Sequence, residues 1–150
     1  MKIIKKIILA IVMLFSLVAC SGATVNFSGS AAPVKPSQKH VLIAAYPKSD
    51  GDWEAYIGMP LNLKGWKISY ISFWEVENIN FKKRSETFLI VVDKMKKSGE
   101  GFFGGPEFKG NIKVYDLRTG TKIIDYSPYH ESDSAISFGI ANALGKLVEK

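Results

Sequence analysis

The sequence predicts an α+β fold, in which a mostly antiparallel sheet of four or five strands is covered on one face by a C-terminal helix. Two observations support this prediction. Short apolar or alternating segments, bounded by Gly, Pro and Asp, recur between residues 40 and 127, as strands do. After residue 133 the apolar side chains follow the spacing of a helix with one buried face.

Three strand segments lie in the first two thirds of the chain. HVLIAAY (40–46) is a short apolar run that ends at Pro47. ETFLIVVDKM (86–95) is apolar on both faces, which is typical of a central strand. GWKISYISFW (65–74) alternates, and the alternation places four side chains on one face: Trp66, Ile68, Tyr70 and Trp74.

A β-hairpin follows. NIKVYDL (111–117) and TKIIDYS (121–127) both alternate, and they flank Arg118-Thr119-Gly120. A glycine at that position of a short loop indicates a bulged turn in which Gly120 has a left-handed backbone conformation.

The C-terminal segment 134–150 has helical periodicity, with Asp133 or Ser134 expected to cap its start. Small residues recur every four positions, which allows a neighbouring segment to approach the helix closely: Ala135, Gly139 and Ala143. We expect the helix to pack on the sheet, because Asn142, Lys146 and Glu149 disfavour a position in lipid. Residues 52–64 show no pattern that assigns them.

The charge of the chain is unevenly distributed. Residues 1–19 contain three lysines and no acid, so removing them from the total of 20 Lys and Arg leaves 17 against 14 Asp and Glu, a net charge of +3. A nucleic-acid-binding protein normally shows a clustered basic excess. The nearly balanced chain therefore gives no reason to expect DNA or RNA as a partner.

The first twenty residues have the layout of an export signal. Lys2, Lys5 and Lys6 precede an apolar run, residues 7–19, that only Ser16 interrupts. As a helix, these 13 residues would be about 20 Å long, which is short of the roughly 30 Å hydrocarbon core of a bilayer. The run is thus interpreted as the apolar region of a signal peptide rather than as a membrane span.

Leu17-Val18-Ala19-Cys20 resembles the lipobox of bacterial lipoproteins, in which a small residue precedes an obligatory cysteine. The resemblance implies cleavage between Ala19 and Cys20, a diacylglycerol thioether on the Cys20 sulfur and an acyl chain on its amino group. Ser21 follows the cysteine, and in enteric-type bacteria the absence of Asp there favours the outer membrane. No other cofactor is expected.

These patterns divide the chain into three parts: a signal peptide (1–19), the acylated cysteine with a flexible tether (20–38), and one globular domain (39–150). The tether is predicted from its composition, because a segment rich in Ser, Gly, Ala and Pro buries too little apolar surface to fold.

The motifs for catalysis and cofactor binding are incomplete. Gly99–Gly104 matches G-x-G-x-x-G, but a strand rather than a helix is predicted after it, so we interpret it as a loop. Asp50, Asp52 and Glu54 have calcium-loop spacing without the glycine and glutamate that must follow. His40 and His130 are the only histidines, and no metal-site or nucleophile motif surrounds either. We therefore expect no metal, no catalytic residues and no enzymatic activity.

Two kinds of side chain are candidates for partner binding. Aromatic residues are common in interface hot spots, and basic residues bind phosphate-rich headgroups or acidic glycans. The aromatic candidates are Trp66, Tyr70, Trp74, Phe102 and Phe103, and the basic candidates are Lys82, Lys83 and Arg84.

The expected function is that of a lipid-anchored binding or accessory module that contacts another envelope protein or a cell-wall polymer such as peptidoglycan. The expected location is the outer membrane, facing the periplasm. Two alternatives remain open. One is a small periplasmic hydrolase that uses carboxylates, which needs only two acids about 5–10 Å apart. The other is a surface-exposed lipoprotein that binds external ligands.

Overall fold

A computed structural model describes residues 22–150 of the chain. The predicted signal peptide, the predicted cleavage position at Ala19 and the predicted lipidation site at Cys20 lie outside the described residues. The described part contains two α-helices, α1 (Trp53–Leu63) and α2 (Asp133–Gly145). Six strands form its sheet: β1 (His40–Ala45), β2 (Lys67–Tyr70), β3 (Phe88–Glu100), β4 (Pro106–Asp116), β5 (Thr121–Tyr126) and β6 (Glu131–Ser132).

The α+β class is confirmed, but the sheet has six strands and mixed directions. Its order is β2-β1-β3-β4-β5, and β6 pairs with the beginning of β4. The β3–β4, β4–β5 and β4–β6 pairs are antiparallel, whereas β1 pairs in parallel with both β2 and β3. Parallel neighbours require a crossover connection, and helix α1 supplies it between β1 and β2.

Helix α1 occupies the segment that the sequence left unassigned. The Asp52 side chain caps it by accepting a hydrogen bond from the Ala55 N–H, 3.2 Å away. Gly58 and Pro60, both poor helix formers, lie inside it and are buried. Tertiary packing against the sheet therefore decides the conformation of this segment.

Helix α2 packs beside α1 on the same face of the sheet, which confirms the predicted position of the C-terminal helix. Its cap is Ser132, whose hydroxyl accepts from the Ala135 N–H, and not Asp133 or Ser134 as expected. Between the helices and strands β1, β3 and β4 lies the main core, which includes Trp53, Phe88 and Ile140.

The opposite face of the sheet has a smaller core. After β2 the chain turns back across β1 and β3 and forms a 3-10 helix, Phe73–Asn78. Ile71, Phe73, Val76 and Ile79 pack there on Leu42 and Leu89. The predicted strand 65–74 is consequently only four residues long, and β2 ends at Tyr70.

Residues 22–38 lie along the domain, which differs from the flexible tether that their composition predicts. The Ala23 N–H donates to the Ala135 carbonyl of α2, and the Val34 N–H donates to the Leu147 carbonyl. Val25 and Val34 are buried in the main core. The side chains of Val25 and Val34, together with these backbone hydrogen bonds, thus hold the segment on the domain.

Within the described residues, neither helix is long and apolar enough to span a membrane.

The contact between α2 and the N-terminal segment depends on Gly139. A Cβ there would lie 2.6 Å from the Ala23 carbonyl oxygen, so Gly139→Ala must displace backbone. We expect the free energy of unfolding to fall by about 1–3 kcal/mol in chemical denaturation, with faster hydrogen exchange at the Ala23 amide. Gly145→Ala is the control, because the position has open space around it. Equal stability of the two variants would contradict this packing.

Candidate functional site

A cleft with a volume of about 980 Å³ lies at one end of the sheet. Strands β1, β2 and β3 all begin there because they run in parallel, and the β4–β5 turn completes the wall. The polar linkers on either side of the sheet contribute the remaining side chains. The cleft is therefore built from segments that are far apart in sequence.

Basic side chains dominate the lining. Five of the lining residues are cations and one, Glu86, is a carboxylate. The five cations are Lys39, Lys67, Lys82, Arg84 and Arg118.

The two arginines are bound by carboxylates. Arg84 donates from Nε and Nη2 to the two oxygens of Glu86, at 3.0 and 2.6 Å. Arg118 binds Asp116 in the same bidentate way, at 2.9 and 2.8 Å. The Glu86 and Asp116 side chains are only 6% and 1% exposed, so both carboxylates lie beneath the cleft surface. These pairs position the arginines and cancel their charge.

The pKa of the Glu86 carboxyl is held below its usual value. Burial acts to raise that pKa, but it is outweighed by the hydrogen bonds from Arg84 and from the backbone N–H, together with the charge of Arg84 and, when its ring is protonated, that of His40. Glu86 is therefore ionised at neutral pH and remains paired with Arg84.

Arg118 also ties the N-terminal segment to the cleft. Its guanidinium donates to the carbonyls of Ala32 and Pro33, at 2.8 and 2.9 Å, and lies 5.6 Å from the centre of the Phe88 ring. Since one side chain joins β4, β3 and the N-terminal segment, its role is mainly structural.

The lysines supply the uncompensated charge of the cleft. In the described part of the chain, no carboxylate lies within ion-pair distance of Lys39, Lys67 or Lys82. Lys39 donates to the neutral Lys64 carbonyl and lies over the Trp66 ring, 5.8 Å from its centre. The cleft thus has a positive field that nearby acids do not cancel.

His40 contributes no fixed charge. Burial lowers its pKa, and the charges of Lys67 and Arg84 lower it further against the opposing effect of Glu86. The neutral ring makes a 2.7 Å hydrogen bond between Nε2 and the Ser69 hydroxyl, which links β1 to β2 at the edge of the cleft.

An aromatic ring and several neutral polar groups complete the lining. Phe81 is partly exposed and packs on Gly120, whose φ of +75° confirms the predicted left-handed turn. Gln38, Asn78 and Asn80 also line the cleft. Cations, amides and one apolar ring together suit a ligand that has acidic groups, hydroxyls and an apolar face.

The structure divides the predicted basic run. Lys82 and Arg84 line the cleft, and Lys83 does not. Lys39, Lys67 and Arg118 were not among the candidates, because each is an isolated cation in the sequence and only the fold brings them together.

The predicted aromatic face does not form. Trp66 is buried against Phe88, with ring centres 5.9 Å apart, whereas Tyr70 and Trp74 are exposed. Trp74 lies in the 3-10 helix, where it contacts Tyr46 and Phe73 edge-on. The alternation ends with β2 at Tyr70, so these side chains do not share one surface.

The Gly99–Gly104 segment is a loop at its tip, as expected, and β4 follows it. It lies at the far end of the β3–β4 hairpin from the cleft, and its Phe102 and Phe103 are exposed. Among the described residues, no group of three or more His, Cys, Asp or Glu side chains is arranged to hold a metal ion.

Comparison with known proteins gives only distant likenesses. No protein-family model matches the chain, and no curated protein matches it in sequence. Among solved structures, it is similar to a point variant of PelC from Paraburkholderia phytofirmans, a dodecamer, with 11% identity over 81% of this chain and 96% of that one and a TM-score of 0.49.

Two further structures are similar. TolB from Acinetobacter baumannii has 13% identity over 83% of this chain and 31% of its own length, with a TM-score of 0.46. Lipoprotein GNA1162 from Neisseria meningitidis has 11% identity over 72% of this chain and 91% of its own, with a TM-score of 0.40. Similarity this distant does not transfer a partner or an activity to this chain.

The Arg118–Asp116 pair gives a stability prediction. Arg118→Met leaves the buried Asp116 charge without its partner, so we expect the free energy of unfolding to fall by about 3–5 kcal/mol. Adding Asp116→Asn removes that charge and is expected to restore part of the loss. Denaturant unfolding of both variants measures this. An Arg118→Met variant as stable as the parent chain would show that the pair does not hold the cleft wall.

Proposed function

We propose that this protein is a lipid-anchored, non-enzymatic module of the bacterial envelope that binds an acidic glycan in the basic cleft. The observation that carries the proposal is the set of three lysines, Lys39, Lys67 and Lys82, which surround the cleft without carboxylate partners among the described residues. Such a field concentrates anions and strengthens their binding at low salt.

A glycan accounts for the other side chains of the cleft. Sugar rings present an apolar face that packs on an aromatic ring, here Phe81, and hydroxyls that pair with amides such as Asn78 and Asn80. The acidic groups of the same polymer would pair with the lysines. A cell-wall polymer with carboxylate groups has this chemistry.

Binding fits the cleft better than hydrolysis by carboxylates. Glu86 lines the cleft and Asp116 lies beneath its wall, and each carboxylate accepts two hydrogen bonds from an arginine guanidinium. A general acid must hold a proton near neutral pH, whereas the lowered pKa of Glu86 keeps it ionised.

The anchor in this proposal is Cys20, through the diacylglycerol and N-acyl lipid that the lipobox implies, and the proposed location is the outer membrane, facing the periplasm. Gly22 lies against Phe138 and Gly139 of α2. Because residues 22–38 pack on the domain, Ser21 is the only residue between the packed chain and Cys20. Two residues span at most about 7 Å, so the anchor would hold the domain close to the bilayer.

Cys20→Ala tests the anchor. In the parent chain, we expect mass spectrometry to find an N-terminal peptide that begins at Cys20 and carries acyl chains. The variant should lack the acyl mass and retain residues 1–19, because the modified cysteine is needed for cleavage. Density separation of the two membranes then tests the location. A free Cys20 thiol in mature, membrane-bound protein would contradict the anchor.

Two adjacent lysines test the cleft. Lys82→Ala is expected to weaken the binding of alginate oligosaccharides, which carry carboxylates, by about fivefold, since one cation near an anionic surface contributes about 1 kcal/mol. Lys83→Ala is the matched control, because Lys83 is next in sequence but outside the cleft. Isothermal titration calorimetry at low salt measures both affinities.

Neutral dextran of equal length controls for binding that does not depend on charge. Equal losses for Lys82→Ala and Lys83→Ala would show general surface attraction, and equal affinity for dextran would remove the role of the lysines. Either result would contradict the proposed site.

A further inference from the structure

We propose that Phe102 and Phe103, at the tip of the β3–β4 hairpin, insert into the interface of a lipid bilayer and give the domain a second membrane contact. The proposal rests on the proposed function in one respect, since it takes Cys20 as the site of the lipid anchor.

The tip exposes two apolar rings and little else. Phe102 is 97% and Phe103 86% exposed, and the rings meet edge-on with centres 5.2 Å apart. Gly101, Gly104 and Gly105 surround them, so no neighbouring side chains cover the rings. A backbone hydrogen bond of 2.7 Å from the Gly101 N–H to the Gly105 carbonyl closes the turn. The two rings are therefore the first groups that an approaching surface would meet.

The size of the patch favours lipid over a protein partner. Each ring can bury about 150–250 Å², so the pair offers on the order of 400 Å². A stable protein interface takes about 800 Å² from each partner. A bilayer interface has no such minimum, because apolar side chains partition into it individually.

The charges behind the tip are mixed. Lys94, Lys96, Lys97 and Lys109 lie on the hairpin, as do Asp93, Glu100 and Glu107. Lys96 lies 3.6 Å from Asp50, and Glu107 lies 3.7 Å from His130. Since these charges nearly cancel, the rings and not an electrostatic attraction would drive insertion.

The described chain begins beside helix α2. Helix α2 begins beside β6, which pairs with the hairpin at Glu107 and Phe108. Gly22 and Ala23 contact α2 within its first two turns, between Ala135 and Gly139. An acylated Cys20, two residues before Gly22, would join the domain beside this part of α2, and the anchor and the hairpin tip would then contact the same bilayer.

Tryptophan fluorescence in the full acylated chain tests this inference. Phe103→Trp places a reporter at the tip, and Leu63→Trp places one on α1, where Leu63 is 75% exposed. Each protein is bound to phosphatidylcholine–phosphatidylglycerol vesicles that contain lipids brominated in the acyl chains, and the parent spectrum from the three native tryptophans is subtracted. We expect the emission of Phe103→Trp to move to shorter wavelength and to be lost through bromine quenching, and that of Leu63→Trp to stay unchanged.

Quenching confined to the tip supports the inference. An unquenched Phe103→Trp on vesicle-bound protein overturns it, and so does equal quenching at Leu63→Trp. The mass of the Cys20 peptide shows separately whether the anchor is present. If Cys20 carries no lipid, the same quenching experiment on the unacylated chain at saturating lipid tests whether the tip inserts. The proposed glycan binding in the cleft is tested separately by alginate titration, because neither tryptophan reporter lies in the cleft.

Discussion

The parallel pairing of β1 with both of its neighbours is the constraint on which the rest of this structure depends. Residues Val41–Ala44 are fully buried between β2 and β3, with a core on each face. Parallel strands cannot be joined by a tight turn, so each connection must travel the length of the sheet. Helix α1 does so on one face and residues 71–87 on the other.

The cleft is a consequence of that constraint. Because three strands begin at the same end, the residues that precede or open them, such as Lys39, Lys67 and Thr87, converge there. The returning segment brings Phe81, Lys82 and Arg84 to the same place. Because strand ends and connecting segments form the cleft, its side chains can be substituted without disturbing the buried strands.

Charge in the cleft has two distinct physical roles. The arginines have desolvated carboxylate partners, and such pairs fix geometry while contributing little net field. The lysines stay at the surface and keep their full charge toward the solvent. A ligand therefore contacts the lysines, while the arginine–carboxylate pairs fix the position of the cleft wall.

The sequence predicted the parts of this fold that local pattern determines. β1, β3, the β4–β5 turn at Gly120 and helix α2 all occur where their periodicity places them. Helix α1 was missed because Gly58 and Pro60 interrupt its pattern, and without α1 nothing indicated a parallel crossover. The mixed strand directions and the cleft could not be predicted for the same reason.

The site shows the same limit at the level of single residues. Lys82 and Arg84 were found because they are close in sequence, whereas Lys39 and Lys67 are 28 positions apart and meet only through the β1–β2 pairing. Val25 and Val34 show the opposite case, because two isolated valines in a segment rich in Ser, Gly, Ala and Pro do not indicate that the segment packs on the domain. Burial of that kind depends on a complementary surface, here α2 and Gly139.

The two proposed contacts lie at opposite ends of the sheet, and that separation has a functional consequence. Strand β3 runs for 13 residues from the cleft toward the hairpin tip, which is about 40 Å at 3.3 Å per residue. With the tip and the anchor at the bilayer, the cleft would open well away from it, beyond the Debye length of about 10 Å over which headgroup charges act. The lysines would then be available to a polymer in the periplasm and would not be occupied by the membrane that holds the protein.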